Sequence, residues 1–234
     1  MNIENKKSFF EDQVFTNEYE KMIRAVIPGY DLMFDIAASF LSCVREEAHL
    51  LVVGAGGGKE LALLGSLHPT WQFTGVDPAE AMLELARQKV EHLKINGRVQ
   101  LYKSFVEDIP EEVTYDAATC MLVLHFLPDD QSKLALLKNI NSRLKPGAPL
   151  ILSTPYGEVQ SIEFKKMMNA SEVFYRYQDV SEEMIQEHFD RLQNDVSLIS
   201  EEKIIELLEQ AGFETVTRFF NSFIFGGWYA EKKV

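Results

Sequence analysis

The run Leu50-Leu51-Val52-Val53-Gly54-Ala55-Gly56-Gly57-Gly58-Lys59-Glu60 constrains this chain more than any other segment. Its first four residues are continuously apolar, the pattern of a strand buried on both faces. The glycines then punctuate the change to a helical pattern that continues through Leu67. Glycine is required where the chain takes positive φ or where a ligand must touch bare backbone. The start of the helix adds unpaired N–H groups and a partial positive charge. Asp77 closes the next apolar run, where a carboxylate can accept both hydroxyls of a ribose. Loop and aspartate together describe a site for a nucleoside-containing ligand at the carboxyl ends of the strands. A dinucleotide fingerprint, G-x-G-x-x-G, would place glycine at position 59, which is Lys59, and this argues against a dehydrogenase.

The rest of the chain predicts the scaffold. Helical spacing runs from Asn17 to about Val26, breaks at Pro28-Gly29, and resumes from Asp31, read as a cap, to about Val44. Strands are expected at Leu50–Gly54, Trp71–Asp77, Arg98–Lys103, Asp116–Leu124 and Pro149–Pro155, with helices at Ala79–Leu93 and Gln131–Leu144. This alternation is the signature of a parallel sheet covered on both faces. Residues 156–199 interrupt it with two or three helices, and a helix from Ser200 to Gln210 follows. The final segments, FETVTRFF and SFIFGGWYAEK, read as an antiparallel pair divided at Asn221-Ser222. The expected organisation is one domain over 1–234: a helical cap at 1–46, a core at 47–155 and 200–234, and a helical lid at 156–199.

Charge narrows the function. The 234 residues carry 36 acidic against 23 basic side chains, a formal charge of −13. That field repels phosphate backbones and anionic lipid, so neither nucleic acid nor a membrane surface is an expected partner. No metal-ligand spacing is present, and Cys43 and Cys120 read as buried structural thiols. No apolar stretch reaches the roughly 18 residues of a membrane helix, and the polar start MNIENKK leads to no signal core. A cytoplasmic protein is expected, and a homodimer stays open.

With these motifs in place, residues 19–234 resemble the class I S-adenosylmethionine-dependent methyltransferases. LLVVGAGGGKEL carries the family's G-x-G-x-G spacing. FTGVDPAEAMLELAR, FVEDIP, YDAATCMLVLHFLPD, LKPGAPLILSTP and the strand-strand tail after AGF complete the match. The resemblance implies an α/β fold with a Rossmann-like, seven-stranded sheet, helices on both faces, and the terminal strand antiparallel between its neighbours. S-adenosylmethionine would be the cofactor, held by Gly54, Ala55, Gly56, Gly58, Asp77, Pro78, Met82, Phe105, Val106, Met121 and Leu122. The segments MIRAVIPGYDLMFDIAASFL and FNSFIFGGWYAEK are similar to the carboxy-S-adenosylmethionine synthase-like subgroup, which implies that Tyr30 closes over the cofactor's amino-acid part. The synthase binds an extra carboxylate through an arginine of its inserted helices. The matching stretch, His188 to Asn194, offers Arg191, but the register favours Phe189 there, so ordinary methyl transfer to a small-molecule acceptor is the favoured activity. Two positions depart from the family. Val52 stands where many relatives carry an acid, and Phe105 where many carry an aspartate that holds the adenine. These departures would favour the remaining reading, a non-catalytic binder of the cofactor or its demethylated product.

Methyl transfer needs an aligned nucleophile and, for a hydroxyl acceptor, a proton acceptor. His125, after the fourth strand, is the candidate base, against the alternative of a packing histidine. His49, His68, His92 and His188 read as solvated. Acceptor contacts are expected from Tyr156, Phe174, Tyr175, Arg191 and Asn221. Aromatic faces can steady a cation, but the same rings could be the core of the inserted helices. That insertion holds nine acids and four bases.

Overall fold

The computed structural model describes residues 22–110 and 113–234. The opening residues 1–21, with the first part of the Asn17 helix, lie outside the described residues. Residues 22–26 are helical, and Gly29, at φ +79°, opens helix α1, Tyr30–Phe40. Asp31 is therefore not the cap. It sits in the first turn of α1, where Arg24 and Lys59 hold its carboxylate at 2.9 and 2.5 Å. Both cations keep its pKa below the usual carboxylate range.

Seven strands form one sheet: β1 His49–Val53, β2 Gln72–Val76, β3 Val99–Tyr102, β4 Ala117–Met121, β5 Pro149–Pro155, β6 Phe213–Ser222 and β7 Phe225–Lys232. Their spatial order is β3-β2-β1-β4-β5-β7-β6. The first five run parallel, and β7 lies antiparallel between β5 and β6. The order reverses beside β1, and such a switch opens a crevice at the carboxyl ends of the strands. β1 is apolar throughout because it is covered twice. Leu50 and Val52 pack into one cluster, with Leu61 and Leu64, while Leu51 and Val53 pack into the other, with Leu137 and Ile140.

The covering helices are α2 Lys59–Leu67, α3 Glu80–His92, α4 Asp130–Arg143 and α7 Glu201–Gln210; α5 Ile162–Tyr177 and α6 Glu182–Asn194 fill the insertion. Four of these, α4 to α7, start at a side-chain cap: Asp129, Ser161, Ser181 and Ser200. The insertion is anchored at two points. Tyr175 Oη donates to Val26 O at 2.8 Å, and the fully buried Lys133 reaches Ser197 Oγ at 3.0 Å.

Two boundaries and one cysteine differ from the sequence reading. β4 ends at Met121, and Leu124–Phe126 form a 3-10 turn instead. The terminal hairpin turns at residues 223–224, not at Asn221-Ser222. Pairing of Pro155 with Phe225 fixes where β7 begins, and Phe223 takes the turn at φ +48°. Cys43 is exposed; Cys120 alone is buried.

The cap at Ser200 gives a direct test. Its Oγ accepts from Lys203 N at 3.3 Å. Replacing it with alanine is expected to cost about 1 kcal/mol and to lower the thermal midpoint by about 2–4 °C, read by calorimetry.

Candidate functional site

The bend between β1 and α2 is built from backbone. Gly54 N and Ala55 N donate to Val76 O at 2.9 and 3.0 Å, binding the loop to the end of β2. Gly54 has φ +73°, and a Cβ there would lie 2.2 Å from Val123 Cγ2. Neither the conformation nor the space admits a side chain. Gly56 N donates to Asp77 Oδ2 at 3.0 Å, and Ala79 N to Asp77 Oδ1 at 2.8 Å. Asp77 is thus aimed by the main chain, with lone pairs left on each oxygen. Burial pushes its pKa up to about 6, against the pull of the two N–H groups.

A cavity of about 520 Å³ opens beside this bend. Gly54, Gly56, Asp77, Pro78, Met82, Phe105, Val106, Met121 and Leu122 all line it. Leu122 takes a left-handed φ of +59°, held by Ser153, whose carbonyl and hydroxyl accept from Leu122 N at 2.8 and 3.1 Å. Strain of that kind persists only where surrounding structure imposes it. Sequence reasoning missed four polar lining residues, Ser104, Glu107, Ser132 and Asn139. Ser104 Oγ is buried with no hydrogen-bond partner among the described residues. An orphaned hydroxyl, a carboxylate aimed by backbone and a glycine floor fit a nucleoside. No local pattern marks Ser104, because its value comes from lying at the end of β3.

The other candidates lie elsewhere. Ala55 is buried, and Gly58 packs against Ala86, so neither lines the cavity. Tyr30 is buried beside Phe34, with the Lys59 ammonium 6.0 Å from its ring centre. His125 is buried outside the cavity lining; its Nδ1 lies 3.3 Å from Thr154 Oγ1, and its ring lies 4.1 Å from that of Phe126. Tyr156 Oη donates to Asn221 Oδ1 at 2.9 Å and accepts from Arg218 at 3.1 Å. Phe174 packs on Phe223 and Tyr175, whose own hydroxyl is committed to Val26. Arg191 pairs with Glu187 and contacts Met22 Sδ. None of these five lines the cavity.

The histidines correct the expectation of solvated rings. Only His92 is exposed. His49 Nε2 lies 2.9 Å from Thr74 Oγ1, and His68 stacks on Trp71 at 3.6 Å. His188 sits among Tyr175, Phe189 and Phe225, and burial pushes its pKa down to about 4. No group of residues able to hold a metal ion occurs among the described residues. Nor is any described helix long and apolar enough to cross a membrane.

One titratable group stands apart. Glu60, in the first turn of α2, is buried, and desolvation pushes its pKa up from 4.5 to about 8. The folded state then holds a proton that the unfolded chain releases, so stability falls as pH rises from about 4.5 to about 8. Glu60→Gln should flatten that part of the thermal-midpoint profile and stabilise the ligand-free protein on its alkaline side.

A family model described as a methyltransferase domain matches residues 51–150. The carboxy-S-adenosyl-L-methionine synthase of Cronobacter sakazakii is 27% identical over 229 residues, covering 94% of this chain and 90% of that protein. A ubiquinone biosynthesis O-methyltransferase of Coxiella burnetii is 34% identical over 111 residues, 45% of this chain and 43% of that protein. Among solved structures, magnesium protoporphyrin IX methyltransferase from Synechocystis PCC 6803, with bound SAH, superposes with a TM-score of 0.71. It is 16% identical and covers 99% of this chain and all of that one. An O-methyltransferase family protein from Burkholderia thailandensis gives a TM-score of 0.68 at 14% identity, covering 97% of this chain and 62% of that one.

Proposed function

The chain belongs to the class I S-adenosylmethionine-dependent methyltransferase superfamily, and from that premise we propose that it transfers the donor's methyl group to a small-molecule acceptor. The observation that carries this reading is the Asp77 carboxylate, aimed by Gly56 N and Ala79 N at a cavity floored by bare glycine. When bound, S-adenosylmethionine supplies a methyl group already made electrophilic by its sulfonium. The protein's work is to hold the donor, exclude water and align an acceptor. Alignment alone can supply about 7–11 kcal/mol in favourable systems. Asp77 would accept from the ribose hydroxyls. Ser104 Oγ and the Val106 backbone would pair with the base, and Phe105 would offer it a ring face. The acidic surface favours a small acceptor over a polyanion.

A second reading, conversion of the donor itself as in the carboxy-S-adenosylmethionine synthases, is favoured by one observation: the Cronobacter sakazakii relative matches over nearly the whole of both chains. Against it, Arg191 is engaged by Glu187 and Met22 outside the cavity. A mass spectrum of the nucleoside that co-purifies separates the two, because an added carboxylate raises the ligand mass. Formation of S-adenosylhomocysteine together with a methylated small acceptor supports the first reading.

Asp77→Ala is expected to weaken S-adenosylhomocysteine binding by at least about 10-fold, the worth of hydrogen bonds to a charged acceptor, with the fold retained. Because the hydroxyls donate to the ionised form, wild-type affinity should fall as pH drops below about 6. Unchanged affinity in the variant, measured by calorimetry, removes the ribose assignment.

A further inference from the structure

Glu60 reads in the sequence as an ordinary acid in the first turn of an amphipathic helix, yet it is only 6% exposed. Its Oε1 has no hydrogen-bond partner among the described residues. Glu60 interacts electrostatically with Asp77, just past β2, and with the thiol of Cys120 on β4. β1 lies between those strands. Glu60 stands in the first turn of α2, two residues past the last glycine of the bend, and is not itself among the residues that line the cavity. Thr119, paired in register with Val52, presents a second buried oxygen without a partner. By strand alternation its side chain shares the α2 face with Val52, because Ala118 and Cys120 pack into the opposite cluster.

Each buried oxygen without a partner is costly, since an unpaired polar group loses its water without compensation. A partner that arrives with the ligand removes the cost. The donor's amino-acid end carries a primary ammonium with three N–H donors and no acceptor. The acids lining the cavity, Asp77 and Glu107, both lie on the β2–β3 side, where they serve the nucleoside. On the α2 side, Lys59 is held by Asp31 at 2.5 Å, so the cation nearest in sequence to Glu60 is already engaged.

We propose that Glu60 accepts the ammonium of the donor's amino-acid moiety, and that the Glu60 carboxyl group releases its proton when that cation arrives. The proposal rests on the donor assigned above and is independent of the acceptor. The groups acting on Glu60 agree with it. Burial dominates and Asp77 adds to it, outweighing the Glu60 backbone N–H and the weaker pull of Lys89 and Lys59 towards ionisation, so the group is neutral in the ligand-free protein. Cys120, pushed up to about 12, stays a neutral thiol and takes no part in the exchange.

The test is calorimetric titration at neutral pH in two buffers of different ionisation enthalpy, with two ligands. S-adenosylhomocysteine carries the amino acid; methylthioadenosine keeps the nucleoside and thioether but lacks it. Wild-type protein should release about one more proton with S-adenosylhomocysteine than with methylthioadenosine. Subtracting the two cancels any contribution from Asp77, which both ligands meet. Glu60→Gln should lose that excess and bind S-adenosylhomocysteine about 10- to 100-fold more weakly, with methylthioadenosine affinity unchanged. Equal proton release for the two ligands in wild-type protein overturns the proposal without recourse to any variant. So does a Glu60→Gln variant that binds S-adenosylhomocysteine normally, or one that loses both ligands alike. Wild-type protein that binds neither ligand would instead overturn the donor assignment itself.

Discussion

The structure turns on one chain reversal made without side chains. Between β1 and α2 the backbone must bend sharply, pass within hydrogen-bonding distance of the end of β2, and leave a face open to a ligand. Gly54 meets the first demand with a left-handed φ and no Cβ to strike Val123. The paired bonds from Gly54 N and Ala55 N to Val76 O meet the second. The third follows because Gly56 N is spent on Asp77, which orients the carboxylate and fixes the loop in one stroke. The cavity, the polarity of its wall and the entry of α2 all depend on this bend. A substitution there changes several things together.

The scaffold was legible because its signals are local. The continuous apolar run of β1 and the glycine cluster each declare themselves within a few residues. The positions that escaped are decided by contacts distant in sequence. Asn221-Ser222 has the composition of a turn, but the pairing of β7 with β5 sets the register and moves the turn to Phe223. Asp31 has the chemistry of a cap, but Arg24 and Lys59 claim its carboxylate.

The site divides in the same way. Glycines and Asp77 were readable because bare backbone followed by an acid at the next strand end has few other uses. Ser104 and Glu60 were not readable. A serine after a strand and an acid in a helix's first turn are commonplace, and only the sheet order reveals that their oxygens are buried and orphaned. His125, Phe174, Tyr175 and Arg191 do not line the cavity. These residue types suggest chemistry, while the structure engages each of them in packing or pairing outside the cavity. The inserted helices are held to residues 22–26 by Tyr175 and to the core by Ser197, so they join the cap to the sheet across the open strand ends.

The most direct measurement is a crystal structure with S-adenosylhomocysteine bound. The account requires the adenosine in the cavity between the glycine bend and Phe105, with both ribose hydroxyls within hydrogen-bonding distance of the Asp77 carboxylate. A ligand seated elsewhere, or a ribose turned away from Asp77 while the loop keeps its present shape, would contradict it.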